Sequence, residues 1–157
     1  MNRPMRRKDR LATEEEAIEM LNEGIYGVLA ICGNDNMPYG VPLNYAYANG
    51  AIYFHCAKTG HKLDIINENN NVCFTIVTKS DVLEDKFSLD FKSAVVFGKA
   101  HLVEDTEERQ FAFEAILHKY CSGFIPSGME HIAKAGPAAL IYKVIPEEIS
   151  GKMRRMI

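Results

Sequence analysis

Apolar and polar positions alternate along most of this chain in short runs, which predicts strands with a few helices between them. Thr13-Glu14-Glu15-Glu16 opens the first element as a capping box, with the Thr13 hydroxyl set to accept an amide and Glu16 reaching back. Ala17, Ile18, Met20 and Leu21 give the helix its apolar side, and Gly24 is placed to end it. Residues 25–32 are rich in strand formers and stop at the turn cluster Gly33-Asn34-Asp35-Asn36. The strongest local signal follows. Asn49-Gly50 between two apolar runs predicts a type I′ hairpin, because both central residues must take positive φ. Its arms cover 39–47 and 51–57. Pro42 lies inside the first arm and has no amide for a ladder, so it predicts a bulge or a sheet edge.

The pattern then predicts a helix over 61–69 carried by Leu63, Ile65 and Ile66, and a strand over 72–79. Residues 80–89 are polar and are expected to form a loop. A long strand over 91–103 follows, with Gly98 marking a bend or bulge. Thr106 is the expected cap of a helix reaching to 120, a helical turn is expected near 129–135, and a last strand over 138–146 closes at Pro146. Six antiparallel strands, three or four helices and no βαβ rhythm point to a mainly β (α+β) fold. The expected architecture is a six-stranded β-barrel with helices packed outside.

Composition sharpens this picture. With 157 residues, 47% of them hydrophobic, the chain is long enough for one domain with a real core. A net charge of −3 gives no whole-chain reason to expect nucleic acid. Arg3, Arg6, Arg7, Lys8 and Arg10 crowd a basic arm over 1–12, and Arg154 and Arg155 sit near the other end. The arm is expected to be solvated or docked on a partner subunit. Cys32, Cys56, Cys73 and Cys121 are scattered, and no signal peptide is evident, so a reducing cytoplasm is expected. No apolar run is long enough for a bilayer, and metal-ligand spacing is missing.

Candidate chemistry gathers at Lys58-Thr59-Gly60-His61-Lys62, where a strand becomes a helix. Gly60 lets backbone approach a ligand, free amides at the helix start favour an anion, and Lys62 adds a full charge. Thr59 can donate a hydroxyl. An ordinary solvated turn is the competing reading of these residues taken alone.

Five stretches together resemble a known family: "MRRKDR", "GVPLNYAY", "GAIYFHCAKTGHKLD", "NNVCFTIV" and "SAVVFGKAHLVED". In this order they look like the pyridoxamine-phosphate-oxidase-like split barrels, more closely the branch named for 5-nitroimidazole resistance. The resemblance implies a homodimer with FMN at the subunit interface. It places Val41, Pro42, Leu43 and Asn44 on the strand flanking the flavin ring, and His55, Cys56 and Ala57 on the neighbouring strand end. Lys58, Gly60, His61 and Lys62 match the phosphate turn, and Ser93 a polar flavin contact. Val41, Leu43 and Tyr45 are candidates for the pocket's apolar walls.

A histidine in this region is linked to the active site in the nitroimidazole-resistance branch, which makes His61 the candidate catalytic residue. A phosphate or helix-cap contact remains open for it. His55 is expected to be a satisfied, partly buried side chain.

The chain also departs from full pyridoxamine-phosphate oxidases. It has no Trp and reads "SGKMRRMI" where those oxidases carry a Trp- and Arg-containing segment, and its phosphate turn lacks Ser-Arg-Lys, so pyridoxamine phosphate is not the expected substrate. The implied activity is an FMN-dependent reductase of small electron-poor molecules such as 5-nitroimidazoles, with NAD(P)H as a candidate donor. The alternative is a non-catalytic flavin- or haem-binding sensor or carrier.

Overall fold

A computed structural model describes residues 4–155; the candidate arm residue Arg3 lies outside them. Seven antiparallel strands form one sheet: β1 Gly27–Cys32, β2 Pro38–Leu43, β3 Ala46–Ala48, β4 Ala51–Ala57, β5 Asn71–Leu83, β6 Ser88–Leu102 and β7 Ala139–Met153. Their order is β2-β1-β5-β6-β7-β4-β3. The two edge strands, β2 and β3, are joined by Asn44 and Tyr45 alone. A two-residue link brings the sheet's ends close together, so the sheet curls into a barrel split at that seam. The helices are α1 Glu14–Glu23, α2 His61–Glu68, α3 Thr106–Cys121 and α4 Ile125–Ala135. No helix of the described residues is long and apolar enough to cross a membrane.

The barrel interior is filled by Leu29, Ile52, Phe54, Phe74, Ile76, Val96 and Val144, with α1 adding Ala17, Met20 and Leu21. α1 starts as its sequence requires. Thr13 Oγ1 accepts from the Glu16 amide at 3.2 Å, and Glu16 Oε2 accepts from the Thr13 amide at 2.8 Å. Glu16 also receives the Arg155 guanidinium at 2.6 and 2.7 Å. The Ala12 amide donates to Gly151 at 3.0 Å, and Arg10 lies 5.6 Å from the Phe91 ring centroid. The end of the basic arm, Arg10 to Ala12, is thus docked on its own barrel, while Arg6 to Asp9 are exposed.

Asn49 and Gly50 have φ of 49° and 75°, the paired positive values of the expected hairpin turn. The first arm does not stay in that hairpin. Ala46–Ala48 pair with β4, whereas Pro38–Leu43 pair with β1. Splitting this arm raises the strand count to seven. It also places Pro42 on an edge strand in unbroken register, where its missing amide costs no ladder bond.

Three further expectations change. Residues 80–89 are no loop: β5 runs on to Leu83 and β6 starts at Ser88, forming a hairpin tip with neither face packed on the core, so no alternation marks it. Pro146 does not end the last strand. A bulge between Phe97 and Gly98 sets Gly98 opposite Pro146, absorbs the missing amide, and lets β7 continue to Met153. α3 is capped by Asp105, whose carboxylate accepts from the Glu108 amide at 2.8 Å, in place of Thr106.

Candidate functional site

β4 delivers its side chains alternately. Ile52 and Phe54 are buried in the barrel and Cys56 is half-buried, while His55 and Ala57 are exposed on the outer face. The chain then turns through Lys58, Thr59 and Gly60, all exposed, into α2. Gly60 has φ 142° and open space where a side chain would stand, so the turn needs glycine for its backbone path and leaves one side clear. Its carbonyl accepts from Leu63 at 2.8 Å and Asp64 at 3.3 Å. Among the described residues the preceding amides, those of His61 and Lys62, have no protein acceptor.

Lys62 is half-buried, its Nζ 5.5 Å from the Phe54 ring centroid. Burial pushes the Cys56 thiol up, and the Lys62 charge pulls against that shift without reversing it. Cys56 is therefore a neutral thiol and no nucleophile. His61 is exposed, and its ring meets that of Tyr39 edge-on at 5.0 Å. This contact brings Tyr39 of β2, two residues from Val41, against the turn within one chain.

What β2 offers differs from the expectation. Tyr39, Val41 and Leu43 all pack against the core, leaving Gly40 and Pro42 exposed on the other face. Val41 and Leu43 are two apart and must share a face, so neither is a free wall for a flat ligand. Tyr45 is fully buried, donating to the Leu21 carbonyl at 2.7 Å and lying 4.8 Å from Phe74. It is a core residue. Asn44 Nδ2 donates to the Ile25 carbonyl at 3.2 Å. The unpaired edge of β2 remains, a row of backbone groups with no neighbouring strand.

Ser93 stands apart. It pairs with Lys152 near the end of β7, whereas Ala57 pairs with Ala139 at its start. About 40 Å of strand separates those positions along β7. Ser93 Oγ donates to the Lys152 carbonyl at 3.4 Å.

His55 is exposed, not partly buried, and it lines a cavity of about 530 Å³ with Phe113, Ile116, Leu117, Tyr120 and His131. Sequence reasoning picks out Leu117 as an apolar helix position but gives no role to Phe113 or Ile116. Phe113, Ile116, Leu117 and Tyr120 fall at i, i+3, i+4 and i+7, the spacing that could have found them.

The turn has the chemistry an anion needs: two amides without a protein acceptor among the described residues, the exposed Thr59 and Lys58, and Lys62, with Asp64 the one carboxylate in the first helical turn. Beyond geometry, a model described as pyridoxamine 5′-phosphate oxidase matches residues 13–153. The chain belongs to that family. An uncharacterized protein of Rhizobium meliloti is 28% identical over 146 residues, covering 90% of this chain and 82% of its own length. Among solved structures, a candidate 5-nitroimidazole antibiotic resistance protein from Bacteroides thetaiotaomicron superposes with a TM-score of 0.77 at 24% identity, covering 90% of this chain and 85% of that one. An FAD and heme binding protein from Mycobacterium smegmatis gives 0.76 at 16% identity, over 94% and 74% of the two chains. At these identities the likeness establishes the fold, a split barrel of the oxidase family.

Proposed function

We propose that the protein is a flavin-dependent reductase that holds FMN between two copies of this chain and serves small electron-poor molecules, of which 5-nitroimidazoles are one class. The observation that carries this reading is the exposed turn from Lys58 to Lys62, a glycine-dependent helix start with two cations that touches β2 through His61 and Tyr39. An FMN phosphate carries about two negative charges and would be met by charge-assisted hydrogen bonds. The single turn suits one phosphate, which favours FMN over a dinucleotide. The bound flavin supplies the electron-transfer chemistry. The chain's own work is to hold the phosphate, to offer β2 backbone groups to the ring edge, and to exclude water. His61, exposed at the helix start and against Tyr39, is the residue this reading assigns to proton donation.

Two copies are required if Ser93 is a flavin contact, since Ser93 and the turn sit at opposite ends of β7. The relative with FAD in its description supports a flavin, and the one named for 5-nitroimidazole resistance supports the substrate class. The test is spectroscopic. The purified protein is expected to be yellow, to release FMN on denaturation, and to lose its flavin absorbance under anaerobic NAD(P)H. Bound flavin that stays oxidised under nicotinamide would contradict the reductase reading and leave a flavin carrier.

A further inference from the structure

β2 is an edge strand with β1 as its single neighbour, so its place depends on one ladder and on how that ladder ends. The last pair is Gly27 with Leu43, and the same register carried on sets Ile25 opposite Tyr45. A hydroxyl stands between those two. Tyr120, at the end of α3, accepts from the Tyr45 amide at 3.0 Å and donates to the Ile25 carbonyl at 2.6 Å, with the Tyr45 carbonyl 2.9 Å from the same oxygen. It takes the place of one ladder bond where the chain leaves β2 for β3.

Neighbouring bonds reinforce this tie. Asn44 Nδ2 also donates to Ile25, at 3.2 Å, and the Tyr45 hydroxyl and the Lys119 ammonium both reach the Leu21 carbonyl, at 2.7 and 3.5 Å. α3 is rooted near its start as well. Glu108 accepts from Tyr53 at 2.9 Å and from Lys143 at 2.7 Å, and Arg109 donates to the Ala139 carbonyl at 3.1 Å. The helix from Glu108 to Tyr120 is about 18 Å long. α3 is therefore a strut from β4 and β7, on one side of the split, to the end of β2 on the other.

We propose that Tyr120 is a positioning residue: through its inserted hydroxyl, α3 holds the open edge of β2 where a bound ring needs it. That a ring lies there rests on the flavin reading, whereas the tie itself does not. Tyr120→Phe keeps a ring between the strands, so the Tyr45 amide and the Ile25 carbonyl lose a partner without closing on each other.

Hydrogen exchange in flavin-free protein tests the tie. In Tyr120→Phe the amides of Tyr45 and of β2 should exchange about fivefold faster or more, with those of Val72 to Ile76 unchanged. Faster exchange at Tyr45 alone, or none, would overturn the proposal. In the wild type, Tyr45 and β2 should open as one unit, and separate units would overturn it even where the variant folds poorly. Flavin titration tests the positioning. Tyr120→Phe should weaken FMN and riboflavin by the same factor, about fivefold, and shift the absorption bands of bound FMN. Ser127→Ala, which removes a hydroxyl bonded to nearby Phe124, should do neither. Equal effects of the two variants, or a loss confined to FMN, would overturn the role. Wild-type affinity and unmoved bands in Tyr120→Phe would overturn it too and leave the flavin reading standing. Faster β2 exchange in protein that binds neither flavin would sink the flavin reading and leave the tie standing.

Discussion

Lys119 shows how a single residue can carry a testable charge effect. Its ammonium lies 3.8 Å from the Tyr45 ring centroid and 3.5 Å from the Leu21 carbonyl, and burial pushes its pKa down to about 8. The unfolded chain, with the ordinary lysine value, therefore binds more protons than the folded one between about pH 8 and 10.5. Stability contributed by this residue must rise with pH across that window, and below it the full penalty is present. Melting temperatures should rise from pH 8 to 10 in the wild type relative to Lys119→Met. Parallel profiles would remove Lys119 as the cause. Nothing in the sequence marks this lysine, because its burial depends on α3 lying over Tyr45. Thr13, Gly60 and the Asn49-Gly50 pair were legible because each acts on backbone within a few residues of itself. The depths of Tyr45, fully buried, and His55, exposed, were not legible, since which face of a strand is covered is decided by distant partners.

At the scale of elements, the β6–β7 bulge is the feature most dependent on one residue. A Cβ on Gly98 would stand 2.2 Å from the Ile145 carbonyl oxygen and 3.1 Å from the Pro146 Cα. Backbone cannot step aside as a side-chain tip can. Gly98→Ala is expected to cost about 3 kcal/mol, read from urea denaturation; a loss under about 0.5 kcal/mol would show that the bulge is pliable. The β5–β6 tip depends on a different device. Asp90 is buried and takes the Lys79 ammonium at 2.5 Å. Lys79→Met leaves that carboxylate without its cation and should destabilise the protein more than Asp90→Asn, which leaves no buried charge. The reverse order would contradict the pairing. These two elements explain the sequence misreadings. Pro146 reads as a terminator unless the bulge opposite is known, and a hairpin with both faces exposed has no periodicity to read. α4 was reduced to one turn because Pro126, Ser127 and Gly128 resemble a connector, although proline is tolerated in a first helical turn.

The whole molecule follows from a seam. Seven strands curl until β2 and β3 nearly meet, and α2 starts beside the open edge of β2. The fold class was legible because antiparallel hairpins announce themselves locally, and the family because its motifs run in one order along the chain. Where the site's parts meet was not legible, since β2 was read as the partner of β4. The structure separates those strands and brings β2 to α2 through Tyr39 and His61. If Ser93 is a flavin contact, as the proposed function has it, it joins this arrangement only across two chains. Light scattering after size exclusion should therefore find dimers carrying one flavin per chain, and monomers that bind flavin with wild-type affinity would contradict a shared pocket.

The turn's grip on a phosphate is most directly measured by titrating FMN and riboflavin, which differ only by that phosphate, into flavin-free wild type, Lys62→Met and Lys62→Glu while following flavin fluorescence. Wild type should prefer FMN by about a hundredfold, the worth of one or two charge-assisted hydrogen bonds. The preference should shrink in Lys62→Met and fall to a few-fold in Lys62→Glu, with riboflavin affinity little changed, roughly within a factor of three. Equal binding of the two flavins by the wild type, or an undiminished preference in Lys62→Glu, would contradict the account.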